Sequence, residues 1–179
     1  PSMAAFLRPD PGMVAHWKGR LDALGSGLKV GISWMGGDSS TRRHLRSMSL
    51  ESMARSLNRA GTLVSLQYGD CQEEIDSLNR SRGIVVHHWP QAIADYDECA
   101  ALVGALDVVV TVCTAVVHLA GSVGKRTMVI VPATAEWRYL YQGTLMPWYP
   151  SVRLYRQIGL EPLSEAAQRI CADLLTEFG

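Results

Sequence analysis

The sequence predicts an open α/β domain, in which five or six mostly parallel strands form a sheet with helices on both faces. Short apolar segments rich in β-branched residues recur along the chain, and segments with helical spacing of apolar residues separate them. Glycine-containing turns lie between the two kinds of segment. Strands that alternate with helices in this way run parallel, because each helix returns the chain to the end of the sheet at which the previous strand began. We therefore predict a Rossmann-like sheet.

The first two elements are a helix at 10–24 and a strand at 28–34. Asp10 suits the N-cap of the helix and Pro11 suits its first turn. The strand "LKVGISW" is short and apolar, which is typical of a buried strand. A polar loop that contains two glycines follows at 35–47.

The second helix is predicted at 49–61, with Ser49 as its N-cap and Gly61 at its C-terminal end. The segment "TLVSLQYG" at 62–69 is predicted as the second strand, and 71–83 as the helix that follows it.

The middle of the chain repeats this alternation. "IVVHHW" at 84–89 is predicted as a strand, 90–96 as a loop and 97–106 as a helix. "DVVVTV" at 107–112 is a β-branched run typical of a fully buried strand, and a helix at 114–124 follows almost at once.

The last part of the chain begins with a strand at 126–132. A long aromatic loop follows at 133–150, and its aromatic side chains, Trp137 among them, suit stacking on a sugar or base or contact with another protein domain. Segment 151–157 is a candidate sixth strand, and 162–178 is the closing helix.

Composition points to one ordinary globular domain. The chain has 179 residues, 47% hydrophobic and 19% charged, and its 17 basic and 17 acidic residues give zero formal net charge. This balance argues against a dominant nucleic-acid surface, and no apolar run is long enough for a membrane span. The start "PSMAAFLRPDPG" lacks the features of a signal peptide, and the four cysteines are spaced like free thiols. We expect a cytoplasmic protein.

The junction at 112–116 is a candidate phosphate site, because a strand turns directly into a helix there. The first N–H groups of a helix lack internal partners, so the backbone at Thr114, Ala115 and Val116 could hold a diphosphate. The alternative is an ordinary packing turn with Thr114 as the helix cap. His118 lies on the same helical face as Thr114 and either reaches the anion or is a satisfied core residue.

The loop after the first strand could approach the same anion. Its hydroxyl and guanidinium groups suit phosphate, and the candidates are Ser40, Thr41, Arg43 and Arg46. The loop has neither the Walker A spacing nor a GxGxxG motif, so a solvated loop is the alternative.

We expect no metal site. His87 and His88 are adjacent on a predicted strand and therefore point to opposite faces of the sheet. Neither a Ser–His–Asp set nor a pair of catalytic carboxylates is evident in the sequence.

The segment "DVVVTVCTAVVHLAGSVGKRTMVIVP" resembles the D-T-G-x-x-H-L-A-A signature of the heptosyltransferase-like glycosyltransferases, family 9. "KVGISWMGG", "RSMSLESMARSL", "LVSLQYGD", "AEWRYL" and "PWYPSVRLYRQ" are similar to segments of bacterial proteins in which tetratricopeptide repeats precede a GT-B glycosyltransferase module. The resemblance runs from about residue 10 to the end of the chain, and its motifs stand in the right order.

The resemblance implies the donor-binding half of a GT-B enzyme, which has two Rossmann-like domains with the active site between them. Residues 1–27 would enter from a missing N-terminal half, and 28–179 would form a single domain that binds a nucleotide-diphosphate sugar. The sugar nucleotide would be a substrate, with no separate cofactor. The general base would lie in the missing half, so the chain alone should be inactive, and its acceptor stays unknown.

The resemblance also implies roles for particular residues. Thr114, Ala115 and Val116 would hold the diphosphate, His118 matches the signature histidine, and the loop after the first strand would approach the phosphates from the other side. The candidates on the sugar or base side are Cys113, Ile93, Gln67 and Trp137.

Cys113 departs from the family pattern, because the signature has an aspartate there. A thiol accepts hydrogen bonds from sugar hydroxyls poorly, so the change puts donor choice and catalysis in question. Ala115 also replaces the signature glycine. A thiol at a helix N-terminus tends towards a lowered pKa, so we expect Cys113 to be the most readily alkylated cysteine.

Two other functions remain open. The chain could be a non-catalytic interaction module that keeps the fold, which Cys113 and the aromatic loop favour. It could also be a NAD-type dehydrogenase domain, although the missing GxGxxG argues against that.

Overall fold

The computed structural model describes residues 5–37 and 43–178. Within them, strands and helices follow one another along the chain. The strands are β1 (Lys29–Ser33), β2 (Thr62–Ser65), β3 (Val86–His87), β4 (Val108–Val112), β5 (Thr127–Val131) and β6 (Val152–Arg156). The helices are α1 (Pro11–Asp22), α2 (Leu50–Leu57), α3 (Gln72–Arg82), α4 (Pro90–Ala94), α5 (Tyr96–Ala105), α6 (Ala115–Val123) and α7 (Leu163–Phe178).

The strands form one parallel sheet in the order β3-β2-β1-β4-β5-β6. β1 lies inside the sheet, where Val30 pairs with Leu63 of β2 and with Val108 of β4. The chain adds β2 and β3 on one side of β1 and then crosses over to add β4, β5 and β6 on the other. The predicted parallel α/β sheet is confirmed. A sheet of this order opens a crevice beyond the carboxyl ends of β1 and β4, where its topology reverses.

Side-chain caps hold the helix ends that the sequence predicts. Asp10 Oδ1 accepts a hydrogen bond from the Met13 N–H at 2.9 Å, and Ser49 Oγ accepts one from the Ser52 N–H at 3.2 Å. Gly83 ends α3 with a φ of 66°, in the left-handed region that other residues enter at a cost. These local signals explain why the helices begin and end close to their predicted positions.

The sheet separates two hydrophobic clusters. One cluster joins the strands to α2, α3 and α7, and Met53 and Ile170 belong to it. The other joins the opposite face to α1 and α5, through Trp17 and Leu102 among others. Trp17 Nε1 also donates to Glu98 Oε2 at 2.7 Å. Helices therefore cover both faces of the sheet, and α1 packs on α5 as part of the same core.

The loop predicted at 90–96 is wrong, because Pro90–Ala94 forms the short helix α4 and α5 begins at Tyr96. Pro90 stands in the first turn, where its missing N–H would have no partner in any case. Asp95 separates the two helices and caps α5, accepting from the N–H groups of Asp97 and Glu98 at 2.9 Å each.

The strand predicted at 84–89 pairs over two residues only, Val86 and His87. β3 is an edge strand that bonds to β2 alone, and the helix that starts at Pro90 draws the chain away from the sheet soon afterwards.

The aromatic loop at 133–150 is held by many hydrogen bonds although its only helical turn is a 3-10 turn at Trp137–Tyr139. Residues 144–146 run antiparallel beside β6, and Leu154 N–H donates to Thr144 O at 2.7 Å. The Arg156 guanidinium donates to four loop carbonyls, those of Tyr139, Leu140, Gln142 and Gly143. The loop therefore has a defined conformation, held against β6 by these hydrogen bonds.

None of the helices in the described part of the chain is long and apolar enough to cross a membrane.

Candidate functional site

The candidate site lies at the carboxyl ends of β1 and β4, where the loop after β1 contacts the loop after β4. A methyl group added to Gly36, just after β1, would lie 2.6 Å from the Cys113 carbonyl oxygen and 2.9 Å from Thr114 Cγ2. The two loops that border the crevice therefore touch at their base. Only a residue without a side chain permits this approach.

Thr114 caps α6, as the packing interpretation of this junction predicts. Its backbone is extended, and its Oγ1 accepts a hydrogen bond from the Val116 N–H at 3.0 Å. The Val117 N–H donates to the Thr114 carbonyl at 3.2 Å. The cap uses a lone pair of the hydroxyl, whose proton can still be donated to an anion, and Ala115 is exposed beside it.

His118 lies one turn further along α6 and is half-buried. Its Nδ1 lies 3.2 Å from the Tyr149 hydroxyl, and the two rings meet edge to face with centroids 5.7 Å apart. Burial lowers the pKa of His118, Arg138 lowers it further, and Glu136 acts in the opposite direction. At neutral pH the imidazole is therefore uncharged, a hydrogen-bonding group rather than a cation.

Tyr149 rests directly on α6 at Gly121. A methyl group on Gly121 would come within 2.4 Å of Tyr149 Cγ, so the glycine makes room for the ring. Sequence reasoning does not identify this contact, because 28 positions separate the two residues in the chain. The contact fixes the hydroxyl that His118 meets.

An ion-pair cluster spans the crevice from the loop after β1 to the loop after β5. Glu136 pairs through one carboxylate oxygen with Arg46 and through the other with Arg138. The Arg46 side chain is 14% exposed and that of Glu136 is 32% exposed. Sequence reasoning selected Arg46 but not Glu136, although Glu136 stands in the quoted segment "AEWRYL" at the carboxyl end of a predicted strand.

Arg43 is exposed in a 3-10 turn of the same loop, with Nη2 2.8 Å from the Met35 sulfur. The predicted phosphate contacts Ser40 and Thr41 lie outside the described residues.

Cys113 does not have the reactive environment that the sequence predicts. The side chain is 4% exposed, packs with Val129 and Tyr139, and lies with Sγ 3.7 Å from the Ile130 carbonyl oxygen of β5. Burial raises the pKa of the Cys113 thiol to about 12, although a hydrogen bond with Tyr139 opposes this. The predicted lowered pKa is wrong, because burial outweighs the helix N-terminus.

Gln67 has a structural role, because its side-chain amide holds the end of β1 and the start of the following loop by hydrogen bonds. Its Oε1 accepts from Ser33 Oγ and from the N–H groups of Trp34 and Met35, at 3.1, 3.0 and 2.9 Å. Its Nε2 donates to the carbonyl oxygens of Met35 and Tyr68 at 3.2 Å each. Because Gln67 is buried and its amide is fully engaged, it holds the loop after β1 and does not itself face the crevice.

The other two predicted sugar- or base-side residues differ in their surroundings. Ile93 lies in α4 and packs, half-buried, against the cluster that holds α1 and α5. Trp137 is 68% exposed and meets Trp148 edge to face, with ring centroids 6.2 Å apart. Trp137 stands between Glu136 and Arg138 in the chain, so it flanks the ion-pair cluster.

A groove of about 590 Å³ lies elsewhere, between α2 and α7. Ser, Arg and Gln side chains such as Arg59 and Gln168 line it. None of the predicted site residues is among those that line this groove, so we assign the candidate site on its position in the sheet. No group of three or more potential metal ligands occurs in residues 5–37 and 43–178.

Comparison with known proteins identifies the fold. No protein-family model matches the chain. Among solved structures, the chain superposes on the E. coli ADP-heptose LPS heptosyltransferase II with a TM-score of 0.67 and 15% identity, covering 100% of this chain and 56% of that one. A glycosyltransferase family 9 protein from Veillonella parvula gives a TM-score of 0.67 at 11% identity, covering 96% and 53%.

The chain has a heptosyltransferase-like fold. A third structure, the E. coli heptosyltransferase WaaC with ADP-2-deoxy-2-fluoro heptose, agrees, with a TM-score of 0.52 at 15% identity over 92% of this chain and 46% of that one. The chain therefore spans about half the length of these proteins.

A relative by sequence is Protein FlbA of Caulobacter vibrioides, which is 40% identical over 161 residues. The alignment covers 87% of this chain and 26% of that protein, so the chain spans about a quarter of that curated relative.

Within the heptosyltransferase-like fold, the segment that resembles the family signature forms the end of β4 and the start of α6. Thr114 and His118 stand at the signature positions and lie on the same side of α6. Cys113 takes the place of the signature aspartate, and its side chain packs under the aromatic loop.

Proposed function

We propose that this chain is the donor-binding domain of a GT-B glycosyltransferase, with a nucleotide-diphosphate sugar held in the crevice between the loops after β1 and β4. The observation that carries the proposal is the reversal of topology between β1 and β4, at the point where Gly36 touches Cys113 and Thr114. Ligands of open parallel sheets bind at such a point.

The chemistry of the crevice supports an anionic ligand. The N-terminus of α6 carries the positive end of the helix dipole, and the Thr114 hydroxyl has a proton to donate. Arg43 and Arg46 approach from the loop after β1, and Arg138 from the loop after β5. Because Arg46 and Arg138 share Glu136, that cluster keeps one net positive charge, to which Arg43 and the start of α6 add.

The solved structures of similar fold support the same class of ligand, since their titles name an ADP-heptose enzyme and a complex with an ADP-linked fluoro-heptose. The chain spans about half of those proteins, so we propose that the acceptor site and the general base lie in an N-terminal GT-B half outside residues 1–179. We propose that residues 1–27 lead in from that half, that a tetratricopeptide-repeat segment precedes it, and that the protein is bacterial and cytoplasmic.

Isothermal titration of the chain with ADP, UDP, GDP and NAD tests the proposal. We expect one nucleoside diphosphate to bind with a Kd of about 0.1–1 mM, which corresponds to roughly 4–5.5 kcal/mol. NAD should show no saturable binding over the same range of concentrations. Added salt should weaken the binding, because charged groups recognise the diphosphate.

Two exposed arginines give a matched pair of variants. Arg43→Ala should weaken nucleotide binding about threefold or more, because Arg43 lies in the loop that borders the crevice. Arg59→Ala removes the same charge just after α2, at the amino edge of the sheet, and should leave binding unchanged. If no nucleoside diphosphate binds to the folded chain, the proposal fails.

A second candidate function is an interaction module that keeps this fold. Exposed aromatic and aliphatic side chains on the loop held by Arg156 favour it, namely Trp137, Leu140, Tyr141, Leu145 and Trp148. Nucleotide titration discriminates between the two functions, since an interaction module needs no saturable site for a diphosphate.

A further inference from the structure

Glu136 holds the central position in the charge cluster of the crevice. It is the carboxylate shared by Arg46 and Arg138, and it links two loops whose residues lie 90 positions apart in the chain. The pairing occupies one lone pair on each carboxylate oxygen. A carboxylate offers about four acceptor sites, so two sites can still accept hydrogen bonds.

Glu136 acts electrostatically on two residues at positions of the family signature, Cys113 and His118. Its charge acts on the thiol of Cys113 and on the imidazole of His118, in each case opposite to the effect of Arg138. The side chain is about one third exposed, whereas the Cys113 side chain is buried. Of the two residues, only Glu136 is open to a ligand in the crevice.

A crevice without this carboxylate would attract any phosphate and would discriminate poorly between a nucleoside diphosphate and its sugar conjugate. Sugar hydroxyls are recognised by acceptors that are fixed and charged, because such hydrogen bonds are stronger than neutral ones. Cys113 cannot serve as one, since its thiol lies against the Ile130 carbonyl oxygen inside the core.

We propose that Glu136, fixed between Arg46 and Arg138, is the residue that binds the sugar of the donor, in place of a carboxylate at position 113. This inference rests on the proposed function. The same negative charge opposes the diphosphate, so Glu136 weakens the binding of a bare nucleoside diphosphate and favours the sugar conjugate. One side chain thus sets the preference for the complete donor.

The test compares nucleotide with sugar nucleotide in the wild-type chain and in Glu136→Gln. The probes are the pairs ADP and ADP-heptose, UDP and UDP-glucose, and GDP and GDP-mannose, each titrated by calorimetry. In Glu136→Gln, the nucleoside diphosphate should bind about threefold or more tightly than in the wild type, because a repelling charge is gone. The ratio of the affinity for the sugar conjugate to the affinity for the nucleoside diphosphate should fall about tenfold.

Glu177→Gln is the matched control. Glu177 also pairs with an arginine, Arg126, but this pair lies at the opposite end of the sheet, just before β5 and near the end of α7. Its variant should leave both affinities and their ratio unchanged. Glu136→Asp keeps the charge on a shorter side chain, so its affinity for the bare diphosphate should stay near the wild-type value.

The outcomes separate this inference from the proposed function. If the wild-type chain binds a nucleoside diphosphate but Glu136→Gln leaves the ratio of the two affinities unchanged, the role of Glu136 is overturned and the donor-site proposal stands. If the wild-type chain binds none of the diphosphates, both are overturned. Opposite shifts for the two members of a pair support the role of Glu136.

Discussion

Gly36 and Cys113 lie so close that a methyl group on the glycine would come 2.6 Å from the cysteine carbonyl oxygen. The contact joins the loop after β1 to the loop after β4 at the centre of the sheet. Backbone, rather than a movable side chain, forms the other side of this contact. Its geometry is therefore set by the sheet itself.

Gly36→Ala should destabilise the protein. The added methyl group meets a backbone oxygen and Thr114 Cγ2, so the loops must separate, at a cost of about 1–3 kcal/mol. Chemical denaturation measures the change. Gly27→Ala is the control, because no atom lies within 4 Å of the position of its methyl group. Equal stability of Gly36→Ala and the wild type would contradict the close contact.

Gln67→Ala should lower the free energy of unfolding by about 2–4 kcal/mol, since it leaves the buried N–H of Trp34 and the half-buried N–H of Met35 without their acceptor. Urea denaturation followed by tryptophan fluorescence tests this. Gln142→Ala changes the same side chain on an exposed loop and should remain within about 0.5 kcal/mol of the wild type. A similar small effect at Gln67 would show that its hydrogen bonds contribute little.

Stability should fall as the pH is lowered from 7 towards 5.5. Burial is the main cause that lowers the pKa of His87, His88 and His118 in the folded protein. The unfolded chain therefore takes up protons first, near its ordinary pKa of about 6.5, and acid favours unfolding. The stability is present above that pH and is lost below it. The midpoint of thermal unfolding, measured across this range, checks the prediction.

His88 should contribute to this pH dependence because a second proton on its half-buried ring is unfavourable. Its Nδ1 is buried without a partner among the described residues, and its Nε2 lies 3.7 Å from Cys71 Sγ. A second proton would leave a buried donor unsatisfied. The double variant His88→Gln/His118→Gln should therefore flatten the dependence. An unfolding midpoint that rises on acidification would reverse the assigned sign.

Cys113 should be among the slowest of the four cysteines to react with iodoacetamide in the folded chain at pH 8. Burial raises the pKa of Cys113 to about 12 and that of Cys99 to about 11, so thiolate is scarce at both. Cys71 and Cys171 should be modified first. Peptide mapping gives the order, and the urea-unfolded chain, in which all four should react alike, is the control. Early labelling of Cys113 would contradict its buried position.

The sheet could be predicted from the sequence because its strands are buried on both faces. A run such as "DVVVTV" at 107–112 becomes β4, Val108–Val112, since a parallel strand covered by helices needs apolar residues at every position. The caps at Asp10 and Ser49 fix their helices by equally local means. The segment Pro90–Ala94 was assigned to a loop instead of a helix, since proline fits a first helical turn as well as a loop.

The candidate site could be predicted only as a set of loops. The topology brings Thr114 and Arg46 to one edge of the sheet, and a strand pattern is enough to foresee this. The direction in which Cys113 packs and the pairing of Arg46 with Glu136 depend on contacts between distant parts of the chain. Local sequence patterns do not contain that information.

The short pairing of residues 144–146 with β6 has a consequence for how the protein behaves among other chains. An open edge strand exposes unpaired backbone groups, onto which a strand of another molecule can add and start an aggregate. Here the loop occupies this edge at Thr144 and Leu145, and the opposite edge, β3, offers only two residues. Both borders of the sheet therefore offer little unpaired backbone to which a strand of another molecule could add.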